Sequence, residues 1–365
     1  MSRVRIAIIV IAGLAGLVPA LAGAEPWLAV LEGQSCGTCH IAASGGGMRN
    51  TYGNVYSRSL LPAYTIGASN QDAFIWTGEI FDWLRLGANV RGGWREVDTP
   101  GRATVSDSDL ERASVYLAIE PIRERLMIYA DQEFGQGTDF NREAWARWSF
   151  NSSWYLRAGR IFLPYGLRIE DDTAWIRQIP GINFTTPDRG AEIGLEKGAW
   201  SAQFAVSNGT AGGDEIDSGK QYSLNATYIQ PGWRLGGSLN YNDSSFGDRE
   251  LYSLYGGYRW KQVAWLAEIS YVVDMGFPEG RRNQIATLVE ANWRYRRGQN
   301  LKITYEHLDP DDTINNDQQN RYSLVWEYFP VQYLQLRAGL REYDGIPQSD
   351  VQNRSERFVQ LHVFF

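Results

Sequence analysis

One short motif in the sequence combines residue types and a spacing that are suited to chemistry. Cys36, Cys39 and His40 form the pattern C-x-x-C-H. In this pattern two thiols bind one porphyrin through thioethers, and the histidine that follows is the proximal ligand of its iron. Cys36 and Cys39 are the only cysteines of the 365 residues, so neither has another thiol as partner. The motif therefore predicts one covalent haem c.

The same cysteines can also be considered as a dithiol redox pair. A Cys-Gly-Thr-Cys redox motif belongs in a thioredoxin-like βαβ unit. The residues around Cys36 and Cys39 do not have that pattern. We therefore favour haem attachment over dithiol chemistry.

The sequence leaves the sixth iron ligand open. Methionine and histidine are both known axial ligands of haem iron. Met48 follows His40 by eight positions and is our first candidate, although it can equally be a packing residue. His362 should face inward near a strand end and is the second candidate, with a polar lumen residue as the alternative. The remaining candidates for the sixth ligand position are Met127 and an open or water-occupied site.

Other residues near the motif can contact the porphyrin. Arg49 and Arg58 are candidate partners of the haem propionates, since arginine pairs well with carboxylates. An equally good interpretation is that both arginines lie on the solvated surface and bind no ligand. Three glycines, Gly45 to Gly47, either let the backbone approach the porphyrin closely or form a flexible connector.

The first residues have the pattern of a secretory signal peptide. Arg3 and Arg5 supply the positive charge, residues 6–17 the apolar stretch, and residues 22–24 an A-x-A-like cleavage site before Glu25. We therefore assign 1–24 as a signal peptide. Haem c is attached outside the cytoplasm, so export agrees with the motif. No later stretch has the roughly 18 to 20 apolar residues that a spanning helix needs.

The rest of the chain, 76–365, alternates with period two. Segments of about ten residues are separated by turn residues, which is typical of an outer-membrane β-barrel. Trp200, Ala202, Phe204 and Val206 share one face of such a segment. A soluble β-sandwich would bury an apolar face of this kind against a second sheet. The regular spacing and the export signal favour a face that contacts lipid.

The alternation predicts an all-β fold, a 16-stranded antiparallel transmembrane barrel preceded by a short haem-binding segment. The expected strands are 79–95, 109–120, 123–133, 140–150, 153–162, 189–197, 200–207, 219–230, 232–243, 248–260, 262–273, 281–296, 299–307, 317–328, 332–343 and 353–365. Short and long connections alternate between them. Because this class has short periplasmic turns and long outer loops, both termini should be periplasmic.

Two further segments resemble parts of bacterial porins. The last strand ends at Phe365 with alternating apolar residues, and it resembles the terminal strand by which outer-membrane proteins are recognised for insertion. The longest connection, 163–188, joins the fifth and sixth predicted strands. In sixteen-stranded porins the loop at this place folds into the lumen, so the resemblance implies a constriction here.

The domain organisation follows from these segments. Residues 25–75 are too few for an independent globular cytochrome with much of a core. We expect them to plug the periplasmic mouth of the barrel (76–365), whose wall would supply the missing core. The formal net charge of −7 gives no reason to expect nucleic acid as a partner.

The chain has, in order, a signal peptide, one C-x-x-C-H motif (Cys36, Cys39, His40) and a barrel. In this arrangement it resembles the outer-membrane cytochrome–porin fusions, a family that includes Fe(II)-oxidising cytochromes. The resemblance implies electron transfer at or across the outer membrane, with iron oxidation as one form of it. Partners would be membrane lipid, a periplasmic or multihaem cytochrome, and an extracellular metal or mineral. The alternatives are a passive diffusion porin with a structural haem plug and a barrel scaffold for a separate multihaem cytochrome.

Overall fold

The computed structural model describes residues 26–67, 76–134, 140–215 and 217–365. The predicted signal peptide, 1–24, lies outside these ranges, as do the last residues of the predicted haem segment. The helices are α1 (Pro26–Glu32), α2 (Thr51–Ser59) and α3 (Trp175–Gln178), and a 3-10 turn spans Cys36–Thr38. Within the described residues, no helix combines the length and the apolar character needed to cross a bilayer.

Strands make up most of the remaining structure. They are β1 (Glu79–Phe81), β2 (Leu84–Asp98), β3 (Val105–Ile122), β4 (Leu126–Phe134), β5 (Phe140–Ser149), β6 (Trp154–Ile161), β7 (Asp188–Lys197), β8 (Trp200–Ser207), β9 (Gln221–Gln230), β10 (Trp233–Asn242), β11 (Arg249–Trp260), β12 (Val263–Phe277), β13 (Gly280–Arg296), β14 (Gln299–Asp309), β15 (Gln319–Tyr328), β16 (Leu334–Asp344) and β17 (Ser355–Phe364).

The strands from β2 to β17 form a closed antiparallel barrel. Each pairs with the next along the chain, and β17 pairs with β2 from Ser355 opposite Asp98 to Phe364 opposite Asn89. The predicted 16-stranded barrel is thereby confirmed. The first predicted strand is divided, because the chain turns at Asp82 and Trp83 and the short β1 folds back on β2.

Connections of two kinds lie at opposite ends of the barrel. Turns such as 198–199, 231–232, 261–262 and 297–298 lie at one end, called here the short-turn end. Connections such as 162–187, 310–318 and 345–354 lie at the other. One connection at that second end is short, because β12 and β13 continue to pair as far as Phe277 and Gly280. The predicted alternation holds elsewhere.

The two faces of each strand differ as the alternation predicts. In β8, Trp200 and Phe204 are exposed on the outside, whereas Ser201 and Gln203 are buried inside. Exposed aromatic side chains form a band near each end of the barrel: Trp154, Trp200, Trp233, Trp260 and Trp293 at the short-turn end, and Tyr222, Tyr241, Tyr252, Tyr305 and Tyr322 at the other. Two such bands are typical of membrane barrels, whose aromatic rings lie at the lipid–water interfaces.

Candidate functional site

The N-terminal segment, defined here as residues 26–67, lies inside the barrel at the short-turn end. Its backbone joins the wall there, since the Ala63 amide donates to the Phe329 carbonyl at 2.8 Å. Wall arginines donate to its carbonyl groups: Arg147 to Ile41 at 2.8 Å, Arg259 to Leu31 at 2.6 Å and Arg297 to Pro62 at 2.7 Å. A segment with little regular structure needs such donors, because buried carbonyl groups must be paired.

The Cys-x-x-Cys-His motif forms a tight turn within this segment. Cys36 begins the 3-10 turn, and its carbonyl accepts from the amides of Cys39 at 3.1 Å and His40 at 3.0 Å. Both thiols are free and half-buried. Burial raises the pKa of the Cys39 thiol to about 11, although Arg49 opposes the shift. A reactive redox dithiol needs a lowered thiol pKa, so this environment does not suit dithiol exchange.

His40 is buried, with 5% of its surface exposed. Neither ring nitrogen makes a hydrogen bond of good geometry, although backbone groups of Gly46 and Gly47 lie near the ring, and both nitrogens are shielded from solvent. Burial, together with the nearby Arg49, lowers the pKa of His40 to about 3 and keeps the imidazole neutral. Buried polar atoms are nearly always satisfied, so two orphaned nitrogens on one ring require an explanation. A neutral imidazole with a free nitrogen is the form that binds metal.

Cys36, Cys39 and His40 line one cavity, called here the motif cavity. Its enclosed volume is about 100 Å³, and it opens to solvent. The N-terminal segment forms one side of it, and strands β8 to β11 form the other through residues such as Gln203, Asn225 and Tyr255. Gly53 of α2 packs so closely on the motif that a Cβ there would lie 2.2 Å from the Cys39 carbonyl oxygen.

Three arginines line the motif cavity: Arg49, Arg168 and Arg234. In the described part of the chain, none of the three has a carboxylate within ion-pair distance. Arg49 is buried and stacks over the Phe364 ring at 4.7 Å, and burial lowers its pKa to about 10. Glu32, the acidic residue among the described residues that line the cavity, already pairs with Arg294 at 3.3 Å. The cavity therefore has an excess of positive charge, which suits an anionic guest.

The other predicted site residues lie outside the motif cavity. Met48 is buried against Ile41, Met127 and Tyr129. Arg58 lies near the end of α2, and one of its terminal nitrogens is buried without a partner. The structure thus brings Arg49 to the Cys-x-x-Cys-His motif, but not Met48 or Arg58.

His362 is also elsewhere. It is fully buried on the inner face of β17. One ring nitrogen is 2.8 Å from the Gln335 side-chain oxygen and the other is 3.0 Å from that of Asn89. Both nitrogens are therefore occupied by hydrogen bonds, in contrast to those of His40.

Sequence reasoning did not single out the residues that the barrel wall contributes to the cavity, such as Arg234, Asn225 and Tyr255. Period-two alternation marks all three as inward-facing. Nothing in the sequence indicates that these inward residues, among the many in sixteen strands, face the motif.

The long connection 162–187, called here the inner loop, crosses the lumen beside the N-terminal segment. Its Leu167 amide donates to Glu268 on β12 at 2.6 Å, and its Trp175 amide donates to Glu306 on β14 at 2.9 Å. Asp172 pairs with Arg112 on β3 at 2.6 Å. The expected inward fold of this loop is confirmed.

The inner loop also holds the N-terminal segment directly. Arg168 donates to the Ser44 hydroxyl at 3.2 Å and to the Gly45 carbonyl at 3.1 Å. Phe184 lies so close to Gly46 that a Cβ there would be 2.8 Å from its ring. Several inward carboxylates are dry: Asp131, Glu143 and Glu327 are 0% exposed. Side chains that faced an open aqueous channel would be wet, so the chain itself fills the lumen around these three carboxylates.

These features define an outer-membrane β-barrel of the porin type. The anion-selective porin from Comamonas acidovorans has the same fold, with a TM-score of 0.61 and 13% identity over 77% of this chain and 99% of that one. The trimer form of OmpT from Vibrio cholerae gives a TM-score of 0.60 and 11% identity over 78% and 100% of the two chains. Such identities establish the fold alone. No protein-family model matches this chain, and no curated protein does.

Proposed function

We propose that this chain is an outer-membrane monohaem cytochrome–porin that transfers electrons at or across the membrane. The observation that carries the proposal is the motif cavity, where Cys36, Cys39 and His40 meet and both His40 nitrogens are buried without a partner. Cys36 and Cys39 would hold a haem c covalently, and His40 would ligate its iron. When bound, such a haem supplies one-electron exchange.

The chain's own residues fit this guest. Haem carries two propionates, and Arg49, Arg168 and Arg234, none of which has a carboxylate partner in the described chain, supply guanidinium donors for carboxylates. Their positive charge also favours the less positive, ferrous state of the iron. Arg58 does not line the cavity, so we transfer its expected role to Arg168 and Arg234.

The proposal requires a redox partner. One haem near one end of the barrel cannot bridge a hydrocarbon layer of about 30 Å. A periplasmic cytochrome suits the short-turn end, where the N-terminal segment is located. The second redox partner would be a multihaem cytochrome, an extracellular metal ion or a mineral. Fe(II) is one such metal-ion donor.

The proposed orientation places both termini in the periplasm. A membrane-impermeant label applied to whole cells should react with a cysteine introduced at Asn316, in the connection 310–318, and not with one at Gly232. The host variant should lack Cys36 and Cys39 so that only the new thiol reports. Reaction at Gly232 alone would reverse the topology and move the motif cavity to the outer surface.

A passive diffusion porin with a structural haem plug is the rival function. The dry interior described above, with Asp131, Glu143 and Glu327 fully covered, does not suit solute flux. A lumen filled by its own chain is equally unsuited to enclose a separate multihaem cytochrome.

The deciding experiment is to produce the protein in a host with a cytochrome c maturation system. Denatured wild-type protein should retain peroxidase-active haem and carry the added mass of one haem. The double variant Cys36→Ala, Cys39→Ala should insert as a barrel without haem, whereas His307→Gln should keep it. Redox titration should then give one electron per chain, with candidate donors and acceptors tested in turn. Haem that acid–acetone extracts from the wild type would contradict covalent attachment.

A further inference from the structure

The motif cavity offers His40 as an iron ligand and no second strong one. Among the described residues that line it, there is no methionine, no lysine and no histidine other than His40. Met48 and Met127 pack together in a separate buried cluster. Both nitrogens of His362 are engaged by Gln335 and Asn89.

The barrel side of the cavity is polar instead. The Tyr255 hydroxyl lies 2.6 Å from that of Thr227 and within hydrogen-bond reach of the Asn225 side chain. Gln203 lies beside them on the neighbouring strand β8. The Arg234 side chain lines the same cavity, and its guanidinium group donates to the Gln34 carbonyl. Apart from the Tyr255 oxygen, which is already engaged by its neighbours, this wall presents hydrogen-bonding groups rather than iron ligands.

We propose that the iron has an open sixth position in the motif cavity, where a small inorganic anion binds to it and is hydrogen-bonded by Tyr255. The inference rests on the proposed function, because it requires the haem. An anion is favoured over a neutral ligand, since Arg49, Arg168 and Arg234 line the cavity without carboxylate partners in the described chain and outnumber the two haem propionates by one. The tyrosine hydroxyl can rotate from its neighbours to the anion, as hydroxyl hydrogens adapt to their partners.

Azide titration of the purified ferric holoprotein tests this inference. The wild type should give a high-spin absorption spectrum that azide converts to a low-spin one with saturation. Tyr255→Phe should keep the high-spin spectrum and raise the azide dissociation constant about tenfold, the effect of losing a hydrogen bond to a charged group. The matched control is Tyr333→Phe, a buried tyrosine that donates to the Trp76 carbonyl outside the cavity. It should bind azide like the wild type.

Met48→Leu and His362→Gln provide the opposing test. Both should leave the ferric spectrum unchanged. A low-spin wild type that ignores azide would overturn the inference, as would a far-red thioether band that Met48→Leu removes. Loss of the wild-type spectrum in Tyr255→Phe without azide would also overturn it, because the tyrosine would then be the ligand. Absence of covalent haem is a distinct result that contradicts the proposed function itself.

Discussion

The hydroxyl oxygen of Tyr129 fills the space in which a side chain at Gly47 would begin. A Cβ at Gly47 would lie 2.5 Å from that oxygen, which also accepts the Met48 amide at 3.1 Å. Gly45, Gly46 and Gly47 have φ values of +83°, +77° and +61°. Only glycine adopts this left-handed region at little cost. The glycine run is therefore a fixed part of the fold after the Cys-x-x-Cys-His motif, not a flexible connector.

Gly47→Ala should disturb the docking of the N-terminal segment. The substitution adds left-handed strain of about 1–2 kcal/mol and a contact that Tyr129 must move to relieve. We expect a several-fold faster proteolytic cleavage within residues 26–67 of the folded protein and a lower haem content per chain.

Gly101→Ala is the matched control. Gly101 has a φ of +74°, but a Cβ there meets nothing within 4 Å. Gly101→Ala therefore introduces the left-handed backbone strain without a steric collision, at a position far from the N-terminal segment. Equal behaviour of the two variants would show that Tyr129 does not hold the glycine run.

Removal of Arg157 should lower the free energy of unfolding more than removal of Arg357. It lies between Glu192 at 2.8 Å and Glu143 at 3.5 Å, with all three side chains at most 1% exposed. Arg157→Met leaves two buried carboxylates without their partner, which should cost about 3–5 kcal/mol. Urea unfolding followed in lipid vesicles measures the change.

An exposed ion pair gives the comparison for Arg157. Arg357 contacts Glu96 at 2.7 Å, but 58% of its side chain is exposed. Arg357→Met should cost at most about 1 kcal/mol, because water screens such pairs. A similar unfolding midpoint for both variants would mean that the lumen around Arg157 is wet.

The barrel could be predicted from sequence because lipid and lumen impose opposite polarity on successive residues. In β8, Trp200 and Phe204 alternate with Ser201 and Gln203, and the structure keeps this division. The strand ends differ from the predicted ones by up to five residues, most of all at the starts of β2 and β3 and at the end of β12.

The contents of the lumen could not be predicted in the same way. The alternation says that His362 faces inward, but not that Gln335 and Asn89 occupy its nitrogens. Met48 lies close to His40 in sequence, yet it packs towards Tyr129 rather than into the motif cavity. Such placements depend on contacts between residues 27 to 273 positions apart, for which a single sequence carries no periodic signal.

The inner loop should stay docked in mild acid. Burial opposes ionisation of Asp171, but Arg341, Arg321 and Thr173 outweigh it and hold the pKa of this carboxyl well below its usual range. A lowered pKa stabilises the fold above the unfolded value of about 3.9, and this contribution disappears as the pH falls through the lower, folded value. The contribution of Asp171 to the thermal unfolding midpoint should therefore change little from pH 7 to 5 and be lost in stronger acid.

Asp171→Asn should lower the unfolding midpoint at pH 7 and weaken its fall in acid. Asp214→Asn, at an exposed position in the connection between β8 and β9, is the control and should leave the profile unchanged. A steeper acid loss in Asp171→Asn than in the wild type would contradict the sign worked out above.

The intact protein should conduct little in planar lipid bilayers, despite its porin-type barrel. The N-terminal segment and the inner loop each cover part of the lumen, and they are joined to one another where Arg168 contacts Ser44 and Gly45. Removal of residues 26–67 should raise the single-channel conductance, while the inner loop still constricts the barrel. Adding Asp171→Asn and Asp172→Asn to that deletion should raise it further, since both carboxylates bind wall arginines. The same two substitutions in the full-length chain should leave conductance low, because the segment remains in place. Conductance of ordinary porin size from the intact protein would show that the lumen is open and would favour the diffusion-porin function instead.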